Sequence, residues 1–106
     1  MIREIATHEL VSETQRVGNA THVRLVGCAD AQTLADVREY FRDLAVGPEL
    51  VMDVRSLEFV SASCLSVFVR FVAASGVSVT FVTDARRPWQ RRTLDGLGVA
   101  ARVEER

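Results

Sequence analysis

Val51-Met-Asp-Val-Arg-Ser-Leu-Glu-Phe-Val-Ser-Ala-Ser-Cys-Leu65 reads as a buried strand, a tight loop and the capped start of an apolar helix. Leu50 to Val54 is short, apolar and rich in β-branched residues, the composition of a central strand covered on both faces. From about Ser63 to Ser75 apolar residues recur at helical spacing, and Gly76 supplies the stop. Between strand and helix lie Ser61, Ala62 and Ser63, small residues where serine satisfies the orphan N–H groups of a helix start.

On this helix Leu65, Phe68, Val69 and Val72 cluster on one face and are expected in the core, while Val67 and Phe71 project from a flank. That flank is either wedged between sheet and neighbouring helix or exposed as an apolar patch for a partner or a homodimer. Cys64, in the first turn, would feel the positive helix end, which favours thiolate, although such a cysteine also serves as a small core residue. If the strand ends lie side by side, Cys28 and Cys64 could approach closely enough for a regulatory disulfide.

Upstream, Glu9 to Val17 fits an edge strand, Gly18-Asn19 a turn, and His22 to Gly27 an alternating strand. Leu34, Val37, Phe41 and Leu44 mark an amphipathic helix, with Asp30 expected as its N-cap and Gly47-Pro48 as its stop. Downstream, Val77 to Thr83 is a strand, Pro88 opens a third helix to about Leu97 closed by Gly98, and Val99 to Val103 is a last short strand. Strands joined by single helices are crossover units. The expected fold is therefore α/β, a mixed, mostly parallel sheet of four to five strands with about three helices.

The 106 residues suit one domain, 1–106. With 48% hydrophobic and 25% charged residues the composition is that of a soluble globular protein, with neither a membrane-length apolar run nor a signal-peptide core, so a cytoplasmic location without membrane insertion is expected. The formal net charge of -1 gives no overall field for nucleic acid, and Arg86, Arg87, Arg91 and Arg92 around Trp89 are expected to form a solvated face. All 13 basic residues are arginine, which excludes lysine Schiff-base chemistry and a P-loop lysine. No cysteine or histidine spacing suggests a metal site, no cofactor motif is present, and no Gly-x-Ser-x-Gly elbow or base beside the loop serines suggests an enzyme; His8 and His22 fall on no motif.

Three stretches resemble the STAS family, the anti-sigma factor antagonists. Gly27-Cys-Ala-Asp-Ala-Gln-Thr33 looks like the family's Gly-Glu-Leu-Asp-x-x-Thr turn, Val51 to Phe59 like the strand leading to its switch, and Arg87 to Leu97 like its C-terminal helix ending in Gly-Leu. The resemblance implies a non-enzymatic module of bacterial signal transduction and transcription regulation. Its implied partner is an anti-sigma factor with serine kinase activity of the GHKL type, bound through Asp30, Ser61, Ala62, Ser63, Cys64, Val67 and Phe71. The family's switch reads Asp-Ser-Ser-Gly-Leu with its first serine phosphorylated; here the run is Ser61-Ala62-Ser63-Cys64-Leu65, so alanine stands at the acceptor position. Either the protein is a permanently unmodified binder, the favoured expectation, or Ser61 or Ser63 has become the phosphorylation site. The alternatives are a STAS-type accessory subunit of a membrane ABC transporter and, further off, an enzyme of unknown chemistry.

Overall fold

Gly18 takes a positive φ of 60° and turns the chain between β1 (Leu10–Val17) and β2 (Ala20–Ala29), which pair antiparallel. The computed structural model describes residues 4–7, 9–44, 46–96 and 101–106. After the hairpin, helix and strand alternate: α1 (Leu34–Asp43), β3 (Glu49–Val60), α2 (Ala62–Ser75), β4 (Ser78–Thr83), α3 (Pro88–Asp95) and β5 (Arg102–Glu105). The sheet order is β1-β2-β3-β4-β5, and every pair after the first is parallel. This is the mixed, mostly parallel α/β fold expected from the element order.

The strand order determines where the helices lie. Three successive crossovers step the same way along the sheet, and right-handed connections stepping one way place their helices on one face. Accordingly Val37, Tyr40 and Phe41 of α1, Cys64, Phe68 and Val72 of α2, and Leu94 of α3 join one core with Leu25, Leu50, Met52 and Phe81. The other face has no helix among the described residues. Along β3, buried Leu50, Met52 and Val54 therefore alternate with half-exposed Val51, Asp53 and Arg55, which corrects the expectation of a strand covered on both faces.

A second correction concerns the length of β3. Its apolar run ends near Val54, yet the strand continues to Val60, so the expected tight loop shrinks to Ser61. Two register shifts against β2, at Arg24/Val26 and Gly27/Cys28, absorb extra residues of β3. On its other side β4 accompanies β3 only as far as Asp53, opposite Val82. Beyond that point α3 substitutes for a strand. Buried Gln90 donates from Nε2 to the carbonyls of Val54 at 2.8 Å and Leu57 at 3.0 Å, and its Oε1 accepts from the Asp84 N–H at 2.9 Å. Arg87 adds a bond from Nη1 to the Leu57 carbonyl at 2.8 Å. Buried backbone polar groups need partners, and here side chains from a distant helix provide them.

The remaining elements shift only at their ends. β5 covers Arg102–Glu105, overlapping the expected Val99 to Val103 at Arg102 and Val103, while Val99, Ala100, the expected helix end at Leu97-Gly98 and His8 lie outside the described residues. The first helix starts at Leu34 with Thr33, not Asp30, at its N-cap position.

Candidate functional site

The parallel ends of β2 and β3 bring two sequence-distant turns together. The Ser61 N–H donates to the Ala29 carbonyl at 2.8 Å, and the Cys64 thiol lies 3.5 Å from the Asp30 carbonyl. On the opposite side of β2, Gly27 admits the chain at Glu9. Its φ is 111°, and a Cβ there would lie 2.0 Å from the Glu9 carbonyl oxygen, which accepts from the Cys28 N–H.

Asp30 is thus placed beside the start of α2, but its carboxylate already has work. Oδ1 accepts from the N–H groups of Gln32 at 3.0 Å and Thr33 at 3.2 Å, an Asx turn ahead of α1 and not the expected N-cap of that helix. Ser61 is extended, with φ -77° and ψ 160°, and is the N-cap of α2, its Oγ accepting from the Cys64 N–H at 3.2 Å. Ala62 and Ser63 are exposed in the first turn, and among the described residues their N–H groups and the Ser63 hydroxyl have no hydrogen-bond partner. With no acidic residue in that turn, the partial positive charge of the helix end faces solvent beside small neutral side chains.

Cys64 does not belong to this surface. It is completely buried, and burial pushes its thiol pKa up despite a hydrogen bond with Ser61, so of its two readings the small core residue holds, and its expected place among the partner-binding residues is corrected. Cys28 is half-exposed on the open face of the sheet, its sulfur 4.0 Å from the Glu58 carboxylate. Both thiols are free, and the sheet lies between them, which removes the basis for a Cys28–Cys64 disulfide.

Further along α2, Cys64, Phe68 and Val72 form the buried stripe, one residue before the expected pairing with Leu65 and Val69, which are half-exposed. Val67 and Phe71 are also half-buried. The Phe71 ring meets Phe41 of α1 at 5.0 Å between centroids, so the flank is partly a wedge between helices. It still opens outward as a furrow of about 310 Å³ whose rim is Arg38, Arg42 and Arg70. An adjoining hollow of about 430 Å³ runs from Arg70 past Ser66 and Val69 to Ala62. Along this surface the helix carries one charge, Arg70, and no carboxylate. Sequence reasoning missed the arginine rim because Arg38 and Arg42 come from a different helix.

The arginine cluster around Trp89 divides. Trp89 lines a small apolar gap with Leu65 and Phe68, Arg91 pairs with Asp95 at 3.4 Å, and Arg86 and Arg87 turn toward the open face of the sheet.

A family model described as Mlab, STAS domain, matches residues 12–104. No curated protein matches the sequence. Among solved structures, an anti-sigma factor antagonist from Mycobacterium paratuberculosis is similar over 92% of this chain and 88% of its own, with a TM-score of 0.71 and 17% identity. The anti-sigma factor antagonist SpoIIAA, in its unphosphorylated form, is similar over 85% of this chain and 86% of its own, with a TM-score of 0.60 and 16% identity. At these identities the likeness to the two structures is one of fold.

Proposed function

Because this chain belongs to the STAS domain family, we propose that it is a non-enzymatic binding module of bacterial signalling, an anti-sigma factor antagonist in type. Its partner is an anti-sigma factor with serine kinase activity of the GHKL type, met in the cytoplasm, and the consequence of binding is release of a sigma factor. The observation that carries this reading is the surface from Ala62 to Phe71. It joins an uncompensated helix N-terminus to small neutral residues and a half-buried apolar flank, with no carboxylate on the helix. Such a surface suits a partner that brings apolar anchors and negative charge.

Ala62 stands where the family's acceptor serine would stand, and alanine cannot take a phosphoryl group. Ser61 is held as an N-cap, which leaves Ser63 as the accessible hydroxyl of the turn. The protein acts as an unmodified binder, with partner exchange set by affinity and concentration. A phosphate on the first turn would add about -1.5 to -2 charges, cancelling the positive character of the surface. Permanent absence of that group keeps the surface in its binding state.

Affinity capture from the native host, with wild type and Ala62→Asp as paired baits, tests the reading. A GHKL-type kinase held by wild type and lost by the variant is the expected result. Recovery of a transporter ATPase would favour the accessory-subunit alternative, and a co-purified metabolite turned over by the protein would favour an enzyme.

A further inference from the structure

We propose that the open face of the sheet carries a second binding site, a basic cleft that takes a small polyanion bearing phosphate groups. This inference is independent of the partner surface, which lies on the helical side. The cleft, about 990 Å³ in volume, is lined by Arg24, Arg55, Arg86, Arg87 and Arg106. These come from β2, β3, the turn before α3 and the residue after β5, so only the folded sheet brings them together. Asp53, Glu58 and Asp84 are the carboxylates that line it.

Two of these carboxylates are already taken. Asp53 holds Arg55 through both oxygens, at 3.0 and 2.8 Å, and Asp84 holds Arg86 through both, at 3.3 Å each. Of the lining residues that leaves Arg24, which also donates to the Ser56 hydroxyl at 3.4 Å, Arg87 and Arg106, with Glu58 as the lining acid not bound to an arginine. Arg87 is oriented by its bond to the Leu57 carbonyl, with its other N–H groups unengaged among the described residues. Arg24 approaches Glu13 at 3.8 Å and Arg106 approaches Glu104 at 3.4 Å, exposed rim pairs that exchange readily for ligand oxygens. Burial raises the Asp53 pKa but its bonds to Arg55 outweigh this, and the bonds to Arg86 lower that of Asp84, so both carboxylates stay ionised on their own arginines.

The chemistry of the lining selects the ligand. Planar guanidinium forks match the paired oxygens of phosphate. The volume falls at the upper end of small-ligand sites, roughly 300 to 1,000 Å³. Nucleic acid is disfavoured, because the interspersed carboxylates interrupt the continuous charge that tracks a phosphate backbone. The cleft lies on the open face of the sheet, over the middle of β2 and β3 and past the ends of β4 and β5. A phosphate group could come from a free nucleotide or from a lipid headgroup, and the experiment separates them.

The test is titration of the full chain with tripolyphosphate and with ATP by calorimetry, alongside co-sedimentation with phosphatidylglycerol vesicles. Saturable binding of tripolyphosphate is expected, weakened about tenfold for each guanidinium removed in Arg24→Gln and Arg106→Gln, the loss of one charge-assisted contact. Both side chains are about half exposed, at 52% and 54%, so the fold survives their replacement. Arg70→Gln, on the helical side, leaves the affinity unchanged. ATP binding lost in the same variants identifies a nucleotide-like source, and vesicle binding lost in them identifies a headgroup. Absence of saturable tripolyphosphate binding, or equal affinity in the Arg24→Gln and Arg106→Gln variants, would overturn the proposal.

Discussion

Replacing Gln90 with methionine should destabilise the whole domain while hardly changing its volume. The wild-type side chain is 2% exposed and connects the Asp84 N–H, at 2.9 Å, to the carbonyls of Val54 at 2.8 Å, Leu57 at 3.0 Å and Arg55 at 3.3 Å. Methionine fills the space and offers neither donor nor acceptor of consequence. Leu57 retains Arg87 as a partner, so the main loss falls on the Asp84 N–H and the Val54 carbonyl. Leaving a buried group unsatisfied costs about 1 to 3 kcal/mol, which puts the total at about 3 kcal/mol after some gain from the apolar side chain. In a domain whose stability is of order 5 to 15 kcal/mol, that is a large fraction and lowers Tm by roughly 12 to 24 °C. Urea denaturation of wild type and variant measures it. A companion variant, Gln90→Glu, keeps the acceptor for Asp84 but sets a carboxylate against three carbonyls; it should be the worse of the two at neutral pH and recover as the pH falls and the carboxyl protonates. A loss below about 1 kcal/mol for Gln90→Met would show that β3 beyond Asp53 is not held by α3.

Three other outcomes follow from the geometry. Gly27→Ala forces a Cβ to within 2.0 Å of the Glu9 carbonyl oxygen at a φ of 111°, so expression of soluble protein or the denaturation midpoint should drop sharply, by more than about 3 kcal/mol. Phe71→Glu leaves the domain folded, by circular dichroism, with a stability loss of about 1 to 2 kcal/mol from the Phe41 contact, while partner affinity falls; an unfolded variant would make Phe71 purely a packing residue. Burial raises the Asp53 pKa, but the Arg55 bonds and charge outweigh it and leave the group below its ordinary 3.8. A depressed folded pKa means that its contribution is complete above 3.8 and disappears as pH falls through the lower folded value, so Asp53→Asn should flatten the acid limb of a stability-against-pH curve.

The element order was legible because each helix and strand declares itself locally. Gly76 closes α2 in the sequence as in the fold, its start, read at about Ser63, lies one residue earlier at Ala62 with Ser61 as the N-cap, and Gly18 marks the hairpin. Asp30 was misassigned because an Asx turn and a helix N-cap use the same chemistry, a short carboxylate accepting from N–H groups ahead of it. The continuation of β3 was hidden because Arg55, Ser56 and Glu58 break the apolar run, and what keeps them in strand geometry is pairing with β2 on one side and, where β4 has ended, Gln90, more than 30 residues away, on the other. The same distance concealed the arginine rim of the α1–α2 furrow and the basic cleft, whose members meet only across the sheet. Cys64 shows the opposite limit: its position at a helix start was right, but the rotation that buries it depends on how α2 sits over Asp30.

On this reading α2 begins with a binding surface that is not switched by phosphate. The most direct test is to capture the kinase partner, incubate it with this protein and Mg-ATP, and determine both intact mass and affinity before and after. No phosphate on the protein and an unchanged Kd are expected. A phosphoryl group on Ser61 or Ser63, accompanied by loss of affinity, would contradict this reading.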